Sequence, residues 1–130
     1  MPIPASWSGW LLSVLRIVSG LAFMQHGTSK LWGFPRTLGS PDALTLPLGI
    51  LELVGGLLLV LGLFTRPVAF LLSGQMAVAY WWAHWYMHPD KSFYPMVNGG
   101  EGALLYCFIF LYLAAAGGGA WSADAARGKP

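Results

Sequence analysis

The sequence predicts an all-α integral membrane protein, a four-helix bundle with short loops and both termini on the same side. Three observations carry this. Charged residues make up 9% of the chain against 56% hydrophobic and 15% aromatic, which is not the surface chemistry of a soluble protein of this size. Four apolar stretches, Ser8–Met24, Leu46–Phe64, Val68–Tyr86 and Ala103–Ala116, approach the ~20 helical residues that cross a ~30 Å hydrocarbon core. From Phe64 to Ala83 there is almost none of the polar stripe that a soluble helix carries. With 130 residues there is room for one domain.

The elements follow in order. Helix 1 is expected over residues 8–31. It begins after Pro2 and Pro4, has Trp7 and Trp10 as interfacial anchors, and stops at Trp32-Gly33-Phe34-Pro35. Arg16 breaks its apolar run and no basic segment precedes it, so it reads as a retained helix rather than a signal peptide. Helix 2, over 46–64, opens with Pro47 in its first turn. The tight Thr65-Arg66-Pro67 turn makes helix 3, over 67–87, its antiparallel neighbour, ending in the aromatic run Tyr80-Trp81-Trp82 and Trp85-Tyr86. Asn98-Gly99-Gly100-Glu101 opens helix 4, over 101–117, which closes at Gly117-Gly118-Gly119. The polar tail, 122–130, is expected to be loose.

Four crossings place both termini and Arg66 on one side. The two long loops, Arg36–Thr45 and His88–Asn98, lie on the other. The cation count does not orient the chain: Arg66, Arg127 and Lys129 on the terminal side stand against Lys30, Arg36 and Lys91 on the loop side. Small residues mark the helix contacts, with Ala69, Ser73 and Ala77 four apart on helix 3 and Gly49 and Gly56 seven apart on helix 2.

The function of such a chain is sought among the polar groups that interrupt its apolar runs, because a charge at the bilayer centre costs roughly 2.5–3.5 kcal/mol. At ~1.5 Å per residue, Arg16 and Gln75 lie deep towards the terminal side, where they are expected to be structural. His26, Lys30, Glu52, Asn98 and Glu101 fall in the loop-side third and form the candidate polar pocket. At ~100° per residue, Arg16, Gly20, Gly27 and Lys30 share one face of helix 1, and Glu52, Gly56, Leu59 and Leu63 one face of helix 2. Each group also has a plainer role: an ion pair for Arg16 and Glu52, a snorkelling cation for Lys30, a first-turn carboxylate for Glu101.

A net charge of +2 and the lack of a basic patch argue against a nucleic-acid partner. The single Cys107 excludes an intrachain disulfide and dithiol chemistry. His84, His88 and Asp90 lack further ligands for a metal, and no flavin or dinucleotide fingerprint occurs.

These residues also carry a family resemblance. Arg16…Gly20-Leu21-Ala22-Phe23…His26-Gly27…Lys30-Leu31…Gly33-Phe34 is followed by Glu52…Gly55-Gly56…Gly62-Leu63…Thr65-Arg66-Pro67. Met76…His84…Phe93-Tyr94-Pro95…Asn98-Gly99-Gly100-Glu101 and Trp121-Ser122-Ala123-Asp124 complete the set. In this order the chain resembles the DoxX family of small four-helix membrane proteins. The resemblance implies a membrane oxidoreductase component in a bacterial inner membrane, without assigned catalytic residues. The resulting expectation is a redox-linked membrane subunit that meets a quinone or a small reductant at the loop-side pocket, with electrons supplied by a protein partner or a substrate. Two other readings stand beside it: a small homo-oligomeric transporter or channel lined by Arg16, Glu52 and Gln75, and a non-catalytic scaffold of a larger complex.

Overall fold

The computed structural model describes residues 2–129, and among them every regular element is helical. A 3-10 turn, Ala5–Trp7, leads into α1, Ser8–Trp32. After the first long loop come α2, Thr45–Leu61, and α3, Thr65–Val78, which continues as a wider π-helical segment, Ala79–Tyr86. The second loop holds the short α4, Pro95–Asn98, and is followed by α5, Glu101–Ala116, and the short α6, Ala123–Ala126.

Glycine sets the ends of the first two helices. Gly33, at φ 71°, turns the chain out of α1 while its amide still bonds to the Ser29 carbonyl at 3.1 Å. Gly62, at φ 70°, does the same for α2, which therefore stops at Leu61 and not at Phe64 as the apolar run suggested. Phe64 itself is left-handed at φ 53°, an unfavourable conformation for a bulky side chain, and lies in the tight turn before α3.

The long helices pack as two hairpins, α1 against α2 and α3 against α5, and α2 also touches α3. The α1–α2 seam is made by glycines. A methyl placed on Gly27 would lie 2.6 Å from the Leu53 backbone nitrogen and 2.8 Å from the Gly49 carbonyl. One at Gly20 would lie 2.9 Å from the Gly56 carbonyl. Removing Cβ lets the backbones touch, which brings polar side chains of α1 within reach of α2. Between α3 and α5, Ser73 donates its hydroxyl to the Cys107 carbonyl at 2.7 Å, above a core that includes Phe23, Leu72, Phe110 and Leu113.

Along the long helices several polar side chains lie inside and many large apolar ones outside. Arg16, Glu52, Ser13, Ser19 and Ser73 are buried, while Val18 and Leu21 of α1, Ile50 and Val54 of α2, Phe70 of α3 and Phe108 of α5 are exposed. One helical stretch, Ala5–Trp32, is long and apolar enough to cross a membrane by itself; α2 and α5 are apolar but shorter.

The tail departs from expectation. Through residue 129 it is tied down: Ser122 caps α6 by accepting the Ala125 amide at 3.0 Å, and the Asp124 amide donates to the Gly62 carbonyl at 2.9 Å. Ser122 and Asp124 are both buried. A polar composition read as looseness because the partners, the freed backbone groups of the α2–α3 turn, lie some sixty residues away along the chain.

Candidate functional site: an ion pair, a histidine groove and a terminal clasp

Glu52 projects from α2 towards both neighbouring helices. Lys30, in the last turn of α1, places Nζ 2.8 Å from Glu52 Oε1. Gln75 of α3 donates Nε2 to Glu52 Oε2 at 2.7 Å. Glu52 is 1% exposed, whereas the Lys30 side chain keeps 21% of its surface, so the pair is sealed on the carboxylate side and reaches the surface only along the lysine side chain. Both carboxylate oxygens have charge-assisted or amide donors, which is what allows a carboxylate to remain inside an apolar bundle. Gln75 Oε1 is buried without a partner.

His26 stands one turn before Lys30, about 40° round α1 from it. Its ring lies edge-on to Tyr106 of α5, with centroids 5.7 Å apart, and 6.0 Å from the ring of Phe23. His26 also lines a groove of about 250 Å³ that it shares with Gln25, Ser29, Pro35, Arg36 and Leu38. The loop wall of this groove is held to α1 by the Arg36 amide, which donates to Ser29 Oγ at 3.3 Å.

Asn98 and Glu101 are elsewhere. Asn98 is buried and occupied within its own loop, donating Nδ2 to the Ser92 carbonyl at 2.9 Å and accepting the Gly100 amide at 2.7 Å. Tyr80 OH, which donates to the Phe93 carbonyl, is the other partner of this knot. Glu101 is exposed and lines a separate groove of about 370 Å³ with Tyr94, Pro95, Met96, Leu104 and Leu105. The five residues expected in one pocket thus divide among an ion pair, a groove beside it and the opposite hairpin. The reason is the pairing of the helices: α1–α2 and α3–α5 each carry their own loop, so equal depth does not bring their polar groups together.

Arg16 and Gln75, expected together as structural groups, also separate. Gln75 joins Glu52, because α2 lies against both α1 and α3 and a long amide side chain spans the difference in depth. Arg16 does not meet Glu52. Fully buried, it donates Nε to the Leu59 carbonyl at 2.8 Å, Nη2 to the Trp121 carbonyl at 2.7 Å and Nη1 to the Gly118 carbonyl. Sequence reasoning missed the partner of this clasp, Asp124, which accepts the amides of Phe64 and Thr65, each at 2.8 Å. Burial works to raise the Asp124 carboxyl, but the Thr65 and Phe64 amides and the charge of Arg127 outweigh it and hold it below the usual carboxylate range. The signal was present in Trp121-Ser122-Ala123-Asp124, a capping residue two positions before a carboxylate.

Among the described residues no three His, Cys, Asp or Glu side chains converge as a metal donor set. What the arrangement can do is bind a small molecule beside an imidazole, with a lysine–carboxylate pair one turn away.

No solved structure matches the chain. Sequence comparison does find relatives. A Haemophilus influenzae protein described as "Uncharacterized protein" is 43% identical over 120 residues, covering 88% of this chain and 89% of its own length. A Bacillus subtilis protein named "Putative oxidoreductase CatD" is 35% identical over 66 residues, 46% of this chain, and the chain spans about half of that relative (49%). Residues 11–85, from α1 through nearly all of the π-helical segment and including Arg16, His26, Lys30, Glu52 and Gln75, match the DoxX family. With more than half of its length matched, the chain belongs to the DoxX family.

Proposed function

We propose that this DoxX protein is an integral membrane protein with four crossing segments (α1, α2, α3 with its π-helical extension, and α5) and both chain ends on one side. Its function on this reading is that of a redox-linked membrane subunit which binds a quinone, or a small reductant, in the groove beside His26. The groove is the observation that carries the functional reading. It offers about 250 Å³ between α1 and the Pro35–Leu38 loop, with an imidazole in its wall. A quinone carbonyl needs a hydrogen-bond donor as it is reduced, and histidine is suited to give a proton there.

The membrane part rests on the apolar exterior around buried Arg16 and Glu52, since intramembrane charges face a bundle interior. At ~1.5 Å per residue α2 and α5 reach about 25 Å, and local thinning accommodates the shortfall against the ~30 Å core. Trp81, Trp82 and Trp85 at one end and Trp7, Trp10 and Trp121 at the other suit the two interfaces. In a bacterium such a chain resides in the inner membrane.

Reduction of a quinone to a quinol takes up two electrons and two protons. The electrons come from a protein partner of a redox complex or from the small reductant, and protons reach the groove through His26. The name of the Bacillus subtilis relative supports an oxidoreductase setting. The Arg16 clasp weighs against a channel, because three carbonyl bonds fill the interior at that end.

The test is to purify the protein in detergent, extract its lipids and assay for quinone, then repeat with His26→Ala. Quinone at a stoichiometric level in the wild type and at least tenfold less in the variant is expected. Absence of quinone, together with no binding of an added short-chain quinone, would sink the proposal.

A further inference from the structure

The tertiary structure sorts the charges of this chain by end in a way that a count along the sequence does not. Asp124 caps the α2–α3 turn through the Phe64 and Thr65 amides, so the tail and this turn form one end of the molecule. Arg66 follows that turn directly. Arg127 lies over the Phe64 ring, 5.0 Å from its centroid, and the Lys129 amide donates to the Asp124 carbonyl at 2.7 Å. Arg66, Arg127 and Lys129 are all exposed, and the one carboxylate among the described residues at this end, Asp124, is buried and occupied. Among the described residues no exposed carboxylate side chain on this face opposes its cations.

The other end differs. Lys30 and Glu52 cancel each other inside the bundle. What remains exposed there is Arg36 and Lys91 against Asp42, Asp90 and Glu101. The cationic end also carries indoles: Trp7 and Trp10 lie 5.1 Å apart between ring centroids, and Trp10 stacks on Trp121 at 6.0 Å. Indoles prefer the headgroup level of a bilayer, and guanidinium groups bind phosphodiesters through paired N–H donors.

From this charge complementarity we infer that the face formed by Arg66, Arg127 and Lys129, rimmed by Trp7, Trp10 and Trp121, docks on the acidic phospholipid headgroups of one membrane leaflet. The inference rests on the membrane-spanning reading above. It turns the chain ends towards the more anionic leaflet, which in a cell is the cytoplasmic one.

The experiment uses the full chain in nanodiscs made from phosphatidylglycerol and phosphatidylcholine in equal parts. Lipids that stay with the protein after detergent exchange are quantified. Phosphatidylglycerol should be enriched over phosphatidylcholine, and Arg66→Gln with Lys129→Gln should reduce the enrichment by about fivefold per cation removed. Arg66→Lys should retain it, and neutralising Asp42, Asp90 and Glu101 together should not lower it. Should the double variant fold poorly, Lys129→Gln alone at its exposed position reads the same effect. Equal retention of both lipids by the wild type, or unchanged enrichment in a folded variant, overturns the inference. Release of the chain from native membranes by alkaline carbonate would instead overturn the membrane reading beneath it, so the two failures are distinguishable.

Discussion

Lys30 Nζ and Glu52 Oε1 meet at 2.8 Å across a seam where α1 and α2 are separated by little more than backbone. The pair depends on the seam. Gly27 and Gly49 bring the two helices close enough for a lysine near the end of one to neutralise a carboxylate about two turns into the other. Gln75 then satisfies the second carboxylate oxygen from α3, so three helices share one buried charge.

Removing the cation should therefore cost more than removing the pair. Lys30→Met leaves a 1% exposed carboxylate with Gln75 alone and is expected to destabilise by about 3 kcal/mol. Adding Glu52→Gln should recover most of that. Thermal unfolding in detergent of the two singles and the double measures the coupling; additive losses would contradict the arrangement.

The seam has its own test. Gly27→Ala must push against the Leu53 and Gly49 backbone and is expected to cost about 1–3 kcal/mol, as overpacked sites do. Gly74 of α3 has nothing within 4 Å of an added methyl, so Gly74→Ala should be neutral or stabilise by up to about 1 kcal/mol, the helix preference for alanine. Paired melting curves in one detergent compare them.

Arg16 joins α1 to the end of α2 and to the tail through three carbonyls. Arg16→Met strands those acceptors, and a loss of about 3 kcal/mol or more is expected. Arg16→Lys keeps the charge without the planar fork and should recover only part. Proteolysis within the 117–129 segment should quicken in both variants, most in Arg16→Met.

Asp124 predicts an acid dependence. Its folded carboxyl is held below the usual range, so the clasp contributes fully above the unfolded value and is lost as pH falls through the folded one. Tail protection, read by hydrogen exchange at the Phe64 and Thr65 amides, should hold at neutral pH and fade below the ordinary carboxylate range. Asp124→Asn keeps only one accepting oxygen and should show weaker protection with no such acid step, at a cost of about 2 kcal/mol at neutral pH.

Much of this was legible in the sequence, and for identifiable reasons. Helical phase put Gly20, Gly27 and Lys30 on one face of α1 and Glu52 and Gly56 on one face of α2, and these are the residues that meet. Periodicity suffices there because a helix is rigid and its faces follow from residue number. The glycine at the end of α1 and the Gly117 run closing α5 were equally readable, since local backbone geometry needs no distant partner.

The candidate site was less legible. Depth along a helix is one coordinate, and it grouped His26, Lys30, Glu52, Asn98 and Glu101 without saying which helix packs on which. The other coordinates come from the two hairpins, which moved Asn98 and Glu101 to the opposite hairpin and brought Gln75 to Glu52. By itself the sequence determined the helical class, the family likeness and the polar groups that had to be sheltered from an apolar surround. Only the tertiary structure decided how each is sheltered: Glu52 by a cation and an amide, Arg16 by the carbonyls of Leu59, Gly118 and Trp121, Asp124 by the turn it caps. The physical reason is that burying a charge demands a partner of a given chemistry, and the chain is free to supply it from any distance along its length.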